Sequence, residues 1–307
     1  KIVLEERRMR TDNDPVGRFM EAYKSLFYRH TPSRLPPIGW EHEIVGLNTH
    51  DMEAFHKTWY VPSNIILVLS GDVTFEDAQR LAHKYYDSLP MHSAPQRQRL
   101  IEPPRIEGEI RLIMPSPDIR SPYLIKSYPA PTFQTEKGQS RYIAQVLSDI
   151  LGQSPTGYFY RELVEGRKLS TFVQVSHNLD TLNPTEMMLI AQPVPGVSME
   201  ALEQALQECV MTFLEKGVDE SEVLKSKNRM LVTLVYEKDS ALSTVNIGKG
   251  LVLGIPLDEL DHWDDKIKAV TRDQVMTLAK KIFATGSTFT GFIVPQVKPS
   301  SQEGAKK

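Results

Sequence analysis

The sequence has 307 residues, of which 40% are hydrophobic and 24% charged, and its formal net charge at pH 7 is -3. This composition is typical of a folded globular protein and excludes a collagen-like or disordered chain, while the length favours two domains. The small net charge gives no reason to expect binding to nucleic acid or to an anionic membrane, and no apolar run approaches the ~18 residues of a membrane span. The single cysteine, Cys209, excludes an internal disulfide and a cysteine-built metal site.

Capping patterns and prolines divide the first 90 residues into helices and one strand. Asp14 followed by Pro15 is a good cap and first-turn pair, and Thr49 with Asp51 begins a further helix. Several prolines between residues 30 and 40 exclude helix and central strand there. The predicted elements are helices over 1–10, 15–28, 49–61 and 74–86, the last capped by Thr74 with Asp77, and a buried apolar strand over 65–69.

A proline-rich segment follows. It contains Pro95, Pro103 and Pro104 among Gln, Arg and Ser, with few apolar residues, which is typical of an extended linker, and we place this linker at 91–108. The predicted elements beyond it are strands over 109–114, 122–130, 170–175, 187–192 and 289–294, a helix over 136–151, and three helices that begin at Ser198, at Asp219 with Glu222, and at Thr271, which forms a capping box with Gln274.

A weak internal repeat relates the two parts. Residues 44–55 carry a Leu-x-Thr-x-Asp pattern, a helix and then an apolar strand, and the same order recurs at 267–278, so that Thr49 corresponds to Thr271. The second copy follows a block of strands and helices at 109–215, whereas almost nothing precedes the first copy. The repeat predicts a duplicated unit whose first copy lacks its front half. The alternative is that capping patterns recur by chance in any α+β protein.

Short strings occur in a characteristic order along nearly the whole chain. They are Val3-Leu4-Glu5-Glu6-Arg7-Arg8, Asp12-Asn13-Asp14-Pro15, Ile38-Gly39-Trp40, Trp59-Tyr60-Val61-Pro62-Ser63-Asn64, Ser70-Gly71-Asp72-Val73, Tyr158-Phe159-Tyr160-Arg161-Glu162-Leu163 and Gly166-Arg167-Lys168-Leu169. Each string alone is weak, but their order and spacing resemble the pitrilysin and insulinase family of zinc metallopeptidases, especially its bacterial single-repeat members.

The resemblance implies an α+β fold. It consists of two homologous units of mainly antiparallel sheet backed by helices, with the first unit truncated at its front. Residues 1–90 would form the rear half of the zinc-binding peptidase domain, 91–108 the linker, and 109–307 a carboxyl-terminal domain of the same fold. The missing front should leave apolar surface uncovered and promote self-association or disorder of the first unit. The expected exposed set is Phe19, Tyr23, Leu26, Phe55 and residues 65–69.

Members of this family bind zinc through an inverted H-x-x-E-H motif and a glutamate on a later helix. The sequence has no such motif, and no pair of its histidines has the i, i+4 spacing that a helical zinc site needs. The histidines are His30, His42, His50, His56, His83, His92, His177 and His262. The resemblance places the third zinc ligand at Glu6. The alternative is that Glu6 is one more solvated acid in a charged helix. Glu5 is the next candidate, about 100° around the helix.

The resemblance also identifies what the second unit lacks. Many members carry an arginine and a tyrosine seven residues apart that hold substrate and stabilise the oxyanion, and this sequence has Val164 and Thr171 there. Arg161 and Arg167 fall elsewhere on the pattern and are interpreted as salt-bridged or solvated. We therefore expect the complete protein to work with a paralogous subunit of the same family that supplies the missing pair.

The resemblance predicts part of a zinc-dependent endopeptidase that cleaves peptides by zinc-activated water. This chain alone should be inactive, with no catalytic residue of its own and no zinc bound tightly. Two alternatives remain at this stage. One is a non-catalytic structural subunit of the same family, and the other is a binding module that grips extended peptides with a sheet edge. Similarity to secreted bacterial members suggests the periplasm, with the cytoplasm as the alternative.

Overall fold

The computed structural model describes residues 1–89, 92–96, 107–132, 139–152, 155–178, 181–183, 185–238, 240 and 242–296. Most of the predicted linker at 91–108, and residues 136–138 at the start of a predicted helix, lie outside the described residues. The described part is a mixed helical and sheet protein with a mainly antiparallel five-stranded sheet covered by helices. The expected α+β fold class is confirmed.

Among the described residues, the strands of the sheet lie between residues 108 and 295, almost entirely in the second unit. Its strands are β1 (Gly108–Ser116), β2 (Tyr123–Ala130), β3 (Ser170–His177), β4 (Thr185–Pro193) and β5 (Ser287–Pro295). They lie in the order β1-β5-β2-β4-β3. The pair β1 and β5 is parallel, and the other neighbouring pairs are antiparallel. All five strands were predicted from the sequence, with ends that differ by a few residues.

The helices before β1 are α1 (Ile2–Arg7), α2 (Pro15–Phe27), α3 (Glu41–Gly46), α4 (Thr49–Trp59) and α5 (Phe75–Tyr86). Those within the second unit are α6 (Ser140–Gly152), α7 (Tyr158–Tyr160), α8 (Met199–Lys216), α9 (Glu220–Lys238), α10 (Leu242–Val252), α11 (Leu257–Asp261), α12 (Trp263–Lys268) and α13 (Arg272–Phe283). A π-helical turn follows α1 at Arg8–Asp12, and another follows α7 at Arg161–Gly166.

Several predicted helix caps are present. Asp14, Thr74, Ser198 and Thr271 each accept hydrogen bonds from first-turn backbone amides. The predicted start of α4 at Thr49 is confirmed, but the capping residue is Asn48, one position earlier. Its side chain accepts from the Asp51 amide, and the Asp51 carboxylate accepts from the Asn48 amide. Asparagine is a stronger cap than threonine, which explains the shift.

The larger hydrophobic core lies between one face of the sheet and helices α6, α8 and α13. Leu124 and Tyr128 of β2 and Leu189 of β4 point into it and are almost completely buried. Side chains alternate between faces along a strand, so the intervening residues Ile125 and Met188 point to the opposite face and need a second cover.

Helix α2 of the first unit supplies that second cover. Phe19 and Tyr23 are completely buried, and their rings meet Phe289 of β5 edge to face, with centroid separations of 6.3 and 4.6 Å. The expectation that Phe19 and Tyr23 would be exposed is therefore wrong. The apolar face of α2 is covered by the sheet of the second unit, so it is not left exposed by a missing front half.

The rest of the predicted exposed set is exposed. Leu26 is 43% exposed and Phe55 57%, and within residues 65–69 only Val68 is partly covered. The strand predicted for 65–69 is not formed. A strand exists only by pairing its backbone groups, and within the described residues this extended segment pairs with no neighbouring strand.

A half-buried carboxylate, Glu186, connects the end of α2 to the start of β4. The Tyr28 hydroxyl donates a hydrogen bond to Glu186, and the Thr185 hydroxyl lies 3.4 Å from the same carboxylate oxygen. Burial raises the pKa of Glu186 to about 7, although the positive charge of Lys24 on α2 lowers it in part. The folded protein therefore disfavours ionisation of Glu186 more than the unfolded chain does.

We expect Glu186 to make the folded chain less stable as the pH rises from about 4.5 to about 7. Below this window the carboxyl is protonated in both states. Within it the unfolded chain ionises first, which favours unfolding by an amount that reaches ~3 kcal/mol. Glu186→Gln should match the wild type at pH 4 and be more stable than it at pH 8. Urea unfolding at both pH values measures this, and an equal change with pH in both proteins would contradict it.

Candidate metal centre

Glu6 lies on α1, a six-residue helix at the start of the first unit. Its side chain is 40% exposed, and one carboxylate oxygen lies 2.9 Å from Nη2 of Arg10, one turn further along. Exposed pairs of this spacing contribute only ~0.2–0.5 kcal/mol. The carboxylate is therefore accessible and weakly held, and a metal ion can compete for it.

The next residue, Arg7, is held very differently. Its side chain is 8% exposed, and its two Nη atoms donate to the two carboxylate oxygens of Glu21 on α2 at 2.9 and 3.1 Å. Nη1 also donates to the Gly39 carbonyl at 2.9 Å, and Nη2 lies 3.2 Å from Asp12. The guanidinium stands 6.0 Å from the centre of the Trp40 ring. Hydrogen bonding to Glu21 raises the pKa of Arg7 above its usual value.

The turn that follows α1 packs closely against the start of α2. The π-helical turn Arg8–Asp12 leads to Asp14, whose carboxylate caps α2 by accepting from the amides of Val16 and Gly17. A Cβ at Gly17 would lie 2.4 Å from the Arg10 carbonyl oxygen, so only glycine allows the two helices this approach. The turn that carries Arg10, the partner of Glu6, is thus fixed against the start of α2.

Glu6 fits one position of a zinc ligand set, since a carboxylate is an ordinary zinc ligand beside histidines. Within the described residues no group of three histidine, cysteine, aspartate or glutamate side chains is placed to hold a metal ion. The histidine of the second unit's sheet, His177, is half-buried with Nε2 3.0 Å from the Pro131 carbonyl, and removal from water lowers its pKa to about 4. It is a neutral structural residue.

Val164 and Thr171 stand at the positions where the resemblance expects an arginine and a tyrosine. Val164 packs against the core, and Thr171 is exposed on β3. Arg161 pairs with Glu222 at 3.0 Å and donates to the Thr156 carbonyl, while Arg167 pairs with Glu208 at 2.6 Å. The interpretation of both arginines as salt-bridged is confirmed, so neither is a ready substitute for the missing pair.

The chain is similar in sequence to several proteins named as zinc proteases and to a subunit of a respiratory complex. The zinc protease PqqE of Helicobacter pylori is 23% identical over 297 residues, which cover 96% of this chain and 66% of that protein. Subunit 1 of the mitochondrial cytochrome b-c1 complex of Saccharomyces cerevisiae is 23% identical over 294 residues, covering 92% and 62%. The chain therefore spans about two thirds of the length of the curated relatives it matches.

Solved structures share the fold. A protease from Helicobacter pylori superposes with a TM-score of 0.86 at 22% identity, covering 96% of this chain and 70% of that one. The first half of the periplasmic protease PqqL from Escherichia coli gives a TM-score of 0.77 at 16% identity, covering 96% and 64%. At such identities the likeness shows the fold alone.

A family assignment completes the comparison. Residues 46–230 match the family described as the peptidase M16 inactive domain, and this match extends from the end of α3 into α9. The resemblance found in the sequence is confirmed. Because the match covers more than half of the chain, this protein belongs to the peptidase M16 inactive domain family.

Proposed function

We propose that this chain is the rear part of a zinc-dependent endopeptidase in which Glu6 supplies the third zinc ligand. The observation that carries the proposal is the contrast on α1: the helix is fixed by the buried Arg7, while the neighbouring Glu6 carboxylate is accessible and weakly paired. The zinc proteases named among its relatives support the choice of metal and of reaction class.

In this proposal zinc, Glu6 and the residues outside this sequence have separate roles. Zinc, when bound, activates a water molecule and polarises the peptide carbonyl. Glu6 holds one coordination position and contributes negative charge, whereas the two histidines and the general base would come from the complete protein, outside this sequence. No catalytic residue is assigned to this chain. Residues 1–90 belong to the zinc-binding unit, 91–108 connect the units, and 109–307 form the carboxyl-terminal unit.

A paralogous subunit is part of the proposal. Stabilisation of a developing oxyanion needs positive charge and hydroxyl or amide donors. Val164 offers neither, and Thr171 has a hydroxyl but no positive charge, so the two positions do not replace an arginine and tyrosine pair. Arg161 and Arg167 are already engaged in ion pairs. The donors would therefore come from a second chain of the same family, with unfolded peptides as substrates.

The periplasm is the proposed location. The support is the fold shared with a periplasmic protease, PqqL of Escherichia coli. Within the described residues no helix has the length and apolarity to cross a bilayer.

One alternative retains support. A subunit of the cytochrome b-c1 complex is among the relatives, so the same fold can also serve in a respiratory assembly, and a non-catalytic structural role is the second candidate function. An upstream segment without the H-x-x-E-H motif would favour it.

Zinc content tests the proposal. After dialysis, the complete protein that contains this sequence should retain one zinc ion per chain, and the 307-residue chain should retain none, because structural zinc normally needs about four donors. Atomic absorption on both proteins gives the result. A complete protein without zinc would favour the structural subunit, and a stoichiometric zinc ion on the 307-residue chain would contradict the assignment of the missing ligands.

A further inference from the structure

Helix α1 has a single buried side chain, and it belongs to an arginine. Arg7 is the buried residue, whereas Ile2 is 85% exposed and Val3 45% exposed. The helix is only six residues long, too short to be stable by itself. Its place in the molecule therefore depends on Arg7 more than on hydrophobic packing.

The contacts of Arg7 come from separate parts of the first unit. Glu21 lies on α2, Gly39 ends the turn before α3, and Trp40 is the residue that precedes α3. The guanidinium is planar, and its two parallel hydrogen bonds to Glu21 fix its direction as well as its distance. An anchor of this kind restrains α1 against both translation and rotation about its axis.

Glu6 directly precedes this anchor. Successive side chains on a helix are about 100° apart, so fixing the rotation of α1 at Arg7 also fixes the direction in which Glu6 leaves the helix. Within the part of the chain that the structure describes, the Glu6 carboxylate pairs with Arg10 alone, and this exposed pair cannot set its direction against solvent.

We propose that Arg7, locked by Glu21, is the positioning residue that aims the Glu6 carboxylate at the zinc ion. This inference rests on the proposed function, because it requires Glu6 to be a ligand. Ligands must be held to about 0.5 Å and 10–20° for a working metal site. Residues that orient a ligand without touching the metal typically account for about 10- to 100-fold in metal affinity.

The experiment measures zinc binding to the complete protein by competition with a chromophoric chelator. Arg7→Met should weaken zinc binding about 10- to 100-fold. Arg8→Met is the matched control, because it removes the same charge at the next position. Arg8 pairs with Glu5 on the surface, so the zinc affinity of Arg8→Met should equal that of the wild type. Arg7→Lys keeps the charge without the paired geometry and should not restore the affinity.

Two further measurements separate positioning from folding. Glu21→Gln keeps Arg7 but weakens its anchor, so it should weaken zinc binding in the same direction even if Arg7→Met does not fold. The absorption spectrum of the cobalt-substituted protein should change in Arg7→Met and Glu21→Gln but not in Arg8→Met. A purely structural role would lower the melting temperature of the metal-free protein and leave zinc affinity and the cobalt spectrum unchanged.

The outcomes also distinguish this inference from the function on which it rests. If Glu6→Gln binds zinc as the wild type does, Glu6 is not a ligand and both proposals fail. If Glu6→Gln loses zinc while folded Arg7→Met and Glu21→Gln retain wild-type affinity, only the positioning role is overturned.

Discussion

Glu6→Gln in the complete protein is expected to weaken zinc binding by more than about 100-fold and to abolish peptidase activity. Removal of an orienting residue alone costs up to about 100-fold, and loss of a ligand should exceed this. An amide has the same shape as the carboxylate but lacks its charge and is a poor zinc ligand. The fold should be unaffected, because the Glu6 side chain is exposed and its ion pair with Arg10 is weak.

Glu5→Gln is the matched control for this substitution. Glu5 is the neighbouring acid on α1, is also exposed, and pairs with Arg8 at 2.6 Å. It points about 100° away from Glu6 and should not reach the same metal ion. Zinc affinity and activity should be lost in Glu6→Gln and retained in Glu5→Gln. The reverse pattern would assign the ligand to Glu5, and wild-type behaviour of both variants would leave Glu6 a solvated surface acid.

Local patterns predicted most elements of this fold because their causes are local. Asp14 followed by Pro15 specifies a helix start through one side chain and one fixed backbone angle, and α2 begins there. The strand predicted at 65–69 is a continuous apolar run, like the shorter run at 292–294 in β5, yet it is not formed. The pattern reports a tendency to pair, but it cannot report whether a partner strand lies beside it.

Charges buried in the sheet show a second limit of sequence patterns. Lys126 lies in the middle of β2, where an alternating pattern predicts an apolar residue, and it is almost completely buried. Its Nζ donates to Glu109 of β1 at 2.7 Å and to Thr290 of β5 at 2.6 Å. These strands come together only through the order β1-β5-β2, which is a property of the whole sheet. No local signal in the sequence could have indicated this network.

In the candidate site, too, the sequence indicated a feature with a local cause and missed one that depends on distant residues. Glu6 was identified by resemblance, because the string around it is local. The role of Arg7 was missed, since its partners Glu21 and Gly39 lie 14 and 32 residues away, and an arginine in a charged helix normally lies on the surface. A charged residue beside a proposed metal ligand becomes informative only when its burial is known.

The packing of α2 of the first unit on β5 of the second unit was also not predicted from the sequence. A second prediction with a large expected effect follows from this contact. Phe19 of α2 lies directly over Gly291 of β5, so closely that a Cβ on Gly291 would come within 2.2 Å of the Phe19 ring. The glycine opens a gap in the sheet surface, and the ring fills it. An amphipathic pattern predicts that α2 has an apolar face, but it does not say which sheet this face covers.

Phe19→Ala should therefore lower the free energy of unfolding of the 307-residue chain by about 3–5 kcal/mol, the usual effect of removing a buried phenylalanine ring. Phe55→Ala is the matched control, because Phe55 is 57% exposed and the same substitution there should change stability by less than ~0.5 kcal/mol. Urea unfolding followed by circular dichroism measures both. Equal effects of the two substitutions would show that Phe19 is not a core residue.

A double-mutant cycle with Gly291→Ala tests the contact itself. Gly291→Ala alone should destabilise the chain by about 1–3 kcal/mol, because the new methyl group meets the Phe19 ring. In the Phe19→Ala background that ring is absent, and the added methyl group fills part of the space it left. The double variant should thus be more stable than the sum of the single effects predicts, by ~1 kcal/mol or more. Additive effects would mean that α2 of the first unit does not pack on β5 in solution.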